Sequence, residues 1–179
     1  MAAGSDGQGP ISVSAQLRLV VEASARMAGT LDVRAVAAAL AGTVVPVFAD
    51  RARVDLVSAV LRPGHEVADS DARLMSQVTD VNAVSTDGAR PDGAEDWKAY
   101  LVSSGAGQAL ATGRARVGAG PDDSSLLWVP LAARGRVLGL VTLSRGTGSA
   151  PYSAGDAAFA AELGTRAALA FDNLRLYDE

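Results

Sequence analysis

The sequence predicts an α+β domain: a central antiparallel sheet with the N- and C-terminal helices packed on one face and loops plus a short helix on the other. Three observations predict it. Apolar residues recur at helical spacing near both ends of the chain. Two late segments, Ser125 to Ala133 and Arg136 to Ser144, read as strands joined by the tight turn Ala133-Arg-Gly-Arg136. In the first of these, Leu127, Val129 and Leu131 share one face while Leu126, Trp128 and Pro130 share the other, so both faces are apolar and both need cover.

Taken in order, Ser12 can cap a first helix in which Val13, Leu17, Val20, Val21, Ser24 and Met27 form one inward stripe. Gly29-Thr30 breaks it. Asp32 can cap a second helix, with Val33, Val36, Ala37, Leu40, Val44 and Val47 on one stripe. Pro46 kinks or ends that helix, because it cannot donate a hydrogen bond to the Gly42 carbonyl. Between residues 52 and 61 the period becomes two: Val54, Leu56 and Val60 alternate with Arg53, Asp55 and Val57, which predicts a strand. Arg62-Pro-Gly64 is a turn, and residues 74–81 form a second, weaker strand. Residues 82–96 are a long polar loop, of a length that is usually functional or disordered.

A short helix fits Ser103 to Thr112, with Gly113 as its stop, and a strand follows around residues 114–117. Gly118 to Asp123 is a loop. After the two strong strands, Ser153-Ala-Gly-Asp156 has the form of a capping box with Asp in place of Glu. It opens a long helix on which Phe159, Leu163, Ala167, Ala170, Leu174 and Tyr177 keep a near-heptad spacing, suited to a homodimer through the terminal helices. Residues 1–11, rich in Gly, Ser and Asp, read as a disordered leader, and residues 12–179 as one domain.

Composition removes several functions. With no cysteine, the chain has no thiol nucleophile, no thiolate metal ligand and no anchor for a thioether-linked cofactor such as a covalent bilin. A net charge of −4 and scattered arginines give no footprint for nucleic acid. No apolar run reaches the roughly 20 residues that span a bilayer, and the start lacks the pattern of a signal peptide, so a cytoplasmic location is expected. Ala, Gly, Arg and Val in excess, with Lys98 the single lysine, point to a bacterial source.

Catalytic signatures are equally sparse. His65, the sole histidine, follows a Pro-Gly turn and reads as a solvated turn residue rather than a base or ligand. Gly118-Ala-Gly-Pro121 lacks the third glycine of a dinucleotide fingerprint. Asp122-Asp123, Glu95-Asp96, Asp69 and Asp71 have no further ligand at metal-binding spacing. The residues that suggest a site are instead Trp97 and Tyr100, at the end of the long loop, together with Arg116 and Trp128. Trp128 either fills the core or lines a concave apolar site under the loop-rich middle. Trp97 and Tyr100 either form a lid over it or pack on the surface.

Several stretches resemble GAF domains. They are Val21-Glu-Ala-Ser-Ala-Arg-Met27, Thr30-Leu-Asp32, Val45-Pro-Val-Phe-Ala-Asp50 and Val54-Asp-Leu56. Gly107-Gln-Ala-Leu-Ala-Thr-Gly-Arg114 is similar to the family's short helix and following strand. Leu126 to Leu143 resembles its hairpin, and Pro151 to Asp156 with Ala168 to Tyr177 its closing helix. The chain looks most like the GAF domains that precede PPM-type (SpoIIE-like) serine/threonine phosphatases in actinobacterial regulators. The resemblance implies a non-catalytic regulatory domain that senses an unidentified small molecule and passes a signal to a phosphatase or kinase output domain. A structural homodimerisation module with a degenerate pocket is the alternative. The family's ligand identities do not carry over, since the bilin-bearing and sulfoxide-reducing members need cysteine and no cyclic-nucleotide pattern is present.

Overall fold

A computed structural model describes residues 11–61, 74–82 and 97–177. The expected leader and the segments around His65, Asp69 and Glu95 lie outside the described residues. Ile11 is described and packs against the core.

Two capped helices open the fold. Helix α1 (Val13–Ala28) is capped by Ser12, whose hydroxyl accepts from the Ala15 amide. Helix α2 (Val33–Val44) is capped by Asp32, which accepts from the Arg34 and Ala35 amides. It stops at Val44, one residue before the Val45–Pro46 peptide. One expectation for α1 is corrected. Val20 and Met27 face the core with Leu19 and Ala23, but Val13, Leu17 and Val21 are 80%, 64% and 61% exposed. The helix is apolar along two lines, and only the line through Leu19, Val20, Ala23 and Met27 turns inward, against α2 and the C-terminal helix. Val47, assigned to the α2 stripe, lies past the helix end and is exposed.

Strand β1 (Arg51–Val57) is shorter than expected, because Ser58–Leu61 turn into a one-turn helix, α3. Then come β2 (Leu74–Asn82), β3 (Trp97–Ala99), α4 (Gly105–Thr112) and β4 (Arg116–Ala119). A short 3-10 turn, Pro121–Asp123, leads to β5 (Ser125–Ala133), β6 (Arg136–Arg145) and α5 (Ala154–Tyr177). Strand β3 is not anticipated by the sequence pattern. Its three residues are too few to show a period.

The strands form one antiparallel sheet in the order β3-β2-β1-β6-β5-β4. Helices α2 and α5 pack directly on the face that carries Val54, Leu56, Leu127, Val129, Leu131 and Val141, and α1 packs against α2 and α5. Helix α5 approaches β5 closely at Gly164, where a Cβ would stand 2.7 Å from Val129 Cγ1. Between α2, α5 and the sheet a void of about 10 Å³ remains beside Leu40, Val44, Val129 and Leu163, about the least space that holds one water. That pocket has no room for a small molecule.

The start of α5 is locked by the expected capping box. Ser153 Oγ accepts from the Asp156 amide at 3.1 Å, and Asp156 Oδ2 accepts from the Ser153 amide at 2.8 Å. The same carboxylate lies 3.4 Å from Arg145 Nη1. Arg145 is 1% exposed, sits 4.1 Å over the Tyr152 ring and donates to the Phe48 carbonyl. This knot ties the end of β6 to α5 and to the α2–β1 connection.

Candidate functional site

The opposite face of the sheet carries the polar chemistry. Alternation along β1 sends Arg53 and Asp55 away from the helix layer. Pairing then builds one row across five strands: Arg116 on β4, Trp128 on β5, Thr142 on β6, Arg53 on β1 and Asp80 on β2. The next row is Pro130, Leu140, Asp55 and Gln77.

Asp55 is fully buried because β1 is a central strand, flanked by β2 and β6. A buried carboxylate must be paired. Arg53 supplies the charge, with Nε and Nη2 within 2.9–3.1 Å of the two carboxylate oxygens. Tyr100 completes the set: its hydroxyl donates to Asp55 Oδ2 at 2.8 Å and accepts from Arg53 Nη2 at 2.9 Å. Burial alone would lower the Arg53 pKa, but the bond and charge of Asp55 outweigh it and the pKa is raised. Burial first, and then the Asp55 charge, push the Tyr100 phenol up, so it stays a proton donor. Beside this group Arg51 and Asp80 form a second, bidentate pair.

Trp128 is half-buried and packs at the other end of the row. A Cβ on Gly105, the first residue of α4, would overlap the benzo ring, and one on Gly118 in β4 would lie 2.5 Å from Cζ3. Two glycines thus let α4 and β4 close on the ring. The indole nitrogen, on the opposite edge, has no hydrogen-bond partner and is not sealed from solvent among the described residues. The hydroxyl of half-buried Thr142 is in the same condition.

Of the four residues singled out from sequence, the fold brings Arg116 and Trp128 side by side. Arg116 is exposed. Tyr100 is partly buried and bonded to β1. Trp97 occupies the first position of β3, opposite Ser76, at the far edge of the sheet from β5. Four strand spacings separate it from Trp128, about 19 Å. Arg53, Asp55 and Thr142 are the members that sequence reasoning did not single out. The available signal was a charged pair on one face of a strand whose other face is wholly apolar. Among the described residues no three or more His, Asp or Glu side chains gather as a metal site, and no helix is long and apolar enough to cross a membrane.

This architecture, a six-stranded antiparallel sheet with terminal helices on one face and a short helix on the other, is that of GAF domains. The GAF domain of an Acinetobacter phosphoenolpyruvate-protein phosphotransferase superposes with a TM-score of 0.65 at 12% identity, over 91% of this chain and 95% of that one. The GAF-B domain of DevS from Mycobacterium smegmatis gives 0.59 at 20% identity, over 79% and 94%. The free methionine-R-sulfoxide reductase of Neisseria meningitidis, solved with its substrate, gives 0.66 at 19% identity, over 97% and 99%. At these identities the likeness establishes the GAF fold and not a shared activity. No family model and no curated protein matches the chain by sequence.

Proposed function

We propose that this chain is a non-catalytic, small-molecule-sensing regulatory domain whose ligand sits on the sheet face opposite the terminal helices. One observation carries the reading. The Arg116–Trp128–Thr142–Arg53 row sets polar groups, some still without partners, beside an aromatic ring and under a short helix, while the other face is filled by helices. The reductase with this fold invites comparison, but a chain without cysteine has no thiol to reduce a sulfoxide or to anchor a tetrapyrrole. Screening metabolites by thermal shift, followed by equilibrium dialysis, tests the reading. A library in which no compound raises the melting temperature counts against it.

The signal has a route outward. Strands β5 and β6, which hold Trp128 and Thr142, meet at a hairpin whose tip residue Arg134 lies 3.1 Å from the buried Asp172 carboxylate of α5. This is an ion contact without hydrogen-bond alignment. A ligand that favours one hairpin position would bias α5 by its differential affinity. The output is a phosphatase or kinase domain of a cytoplasmic bacterial regulator, in line with the sequence likeness to GAF domains preceding PPM-type phosphatases.

A second reading, a structural homodimer, is favoured by the exposed line Val13, Leu17 and Val21 on α1 and by exposed Leu169 and Leu176 on α5. The two readings are compatible if the ligand acts on the dimer. Sedimentation at tens of micromolar decides the dimer, and a monomer there removes it.

A further inference from the structure

The open donors of the sheet-face row define the chemistry of what it can hold, and this inference rests on the sensing reading above. Three groups in the row present hydrogen to the same side. Arg53 uses Nε and Nη2 on Asp55 and Tyr100, which leaves Nη1 without a bond among the described residues while the side chain keeps 21% of its surface. The Thr142 hydroxyl lies on the neighbouring strand, and the Trp128 indole N–H one strand further. None of these three atoms is satisfied within the described protein; the Thr142 hydroxyl can donate or accept, but Arg53 Nη1 and the indole N–H can only donate, and the carboxylates of Asp55 and Asp80 are both occupied by arginines. A ligand that satisfies the row must therefore bring acceptor oxygens.

Charge narrows the class. Arg53 cancels Asp55 and Arg51 cancels Asp80, so Arg116, exposed beside Trp128, is the one uncompensated charge among the described residues of the row. A single positive charge suits a monoanion better than a phosphate dianion, which would bury excess negative charge next to Asp55. We propose that the site binds a small carboxylate. Arg53 and Thr142 hold its oxygens, and Trp128 flanks its apolar body. Arg116 adds long-range attraction at the rim.

The test is chemical-shift titration of the isotope-labelled chain with phenylacetate, its neutral analogue phenylacetamide, and inorganic phosphate. Phenylacetate is expected to move the Arg53, Thr142 and Trp128 indole resonances with an apparent Kd about tenfold or more below that of phenylacetamide, the worth of one charge-assisted hydrogen bond. Thr142→Val, nearly isosteric at a half-buried position, should shrink that preference to about threefold or less. Arg53→Lys serves as a second variant, with its dispersed spectrum confirming that it folds. Equal binding of the acid and the amide at these resonances overturns the carboxylate while leaving a sheet-face sensor intact. So does tighter binding of phosphate. Silence of all three probes also overturns it, and the metabolite screen then decides the sensing reading separately.

Discussion

The hydroxyl of Tyr100 donates to Asp55 across 2.8 Å and joins the segment that leads into α4 to the buried middle of β1. The two residues are 45 positions apart. Tyr100→Phe removes this donor and the acceptor used by Arg53 Nη2, while Arg53 still pairs with the carboxylate. The loss should be about 1–2 kcal/mol, read from urea denaturation. Asp55→Ala, which strands Arg53 and Tyr100, should cost more, up to about 3–5 kcal/mol before allowance for the part of Arg53 that solvent reaches. Equal stability of both variants and the parent would show that the network contributes nothing.

Alkaline stability follows from the same hydroxyl. Burial is the main cause that raises both Tyr100 and Tyr152 above the ordinary phenol value. A raised folded-state pKa means the folded chain holds its protons where the unfolded chain has lost them. The associated stability is fully present below about pH 10 and is lost as pH rises from there through the folded values. Urea midpoints should stay level with respect to these groups up to about pH 9 and fall above pH 10. Tyr100→Phe should flatten that fall. An unchanged slope in the variant would mean that Tyr100 titrates as in the open chain.

The cover over Trp128 depends on two absent side chains. Gly105→Ala and Gly118→Ala each place a methyl group in the indole's space. Each should cost about 1–3 kcal/mol and shift the tryptophan emission as α4 or β4 moves away. A Gly105→Ala protein with parent stability and emission would contradict this packing.

The α5 cap separates two energies. Ser153→Ala removes a hydroxyl that caps the helix and should cost about 1 kcal/mol. Asp156→Ala leaves Arg145 buried without its carboxylate and should cost about 3–5 kcal/mol. Thermal or urea unfolding of the two variants measures the difference, and a reversed order would refute the assignment.

Leu17→Glu with Val21→Glu should leave the isolated fold within about 0.5 kcal/mol of the parent, since both positions are solvent-facing. If the α1 line is a dimer contact, the same change should convert a dimer to a monomer in sedimentation.

Much of the fold was legible because its signals are local. Ser12, Asp32 and Ser153 cap where their side chains predict, and the β5–β6 hairpin follows from alternation and a glycine-containing turn. The line Val13–Leu17–Val21, expected to face inward, is exposed, because a helix apolar on two sides does not say which side meets the core. The site was only partly legible. Trp128 announces itself as an aromatic on the second apolar face of a strand. Arg53 and Asp55 could be assigned to one face of β1, but their burial depends on β2 and β6 flanking that strand and on a tyrosine delivered from far along the chain. Those are tertiary facts without a local pattern. Arg116 gains its meaning in the same way, from the register that sets it opposite Trp128.

Binding of a small molecule on the sheet face bearing Arg53, Thr142 and Trp128 underlies the proposed function. It is tested most directly by mapping amide and indole shifts on the labelled chain with whichever metabolite most raises its melting temperature. The largest changes are expected on Arg53, Asp55, Thr142 and the Trp128 indole, with smaller ones reaching Arg134 and Asp172. Changes confined to α1, α2 and the outer face of α5, with those resonances still, would contradict it.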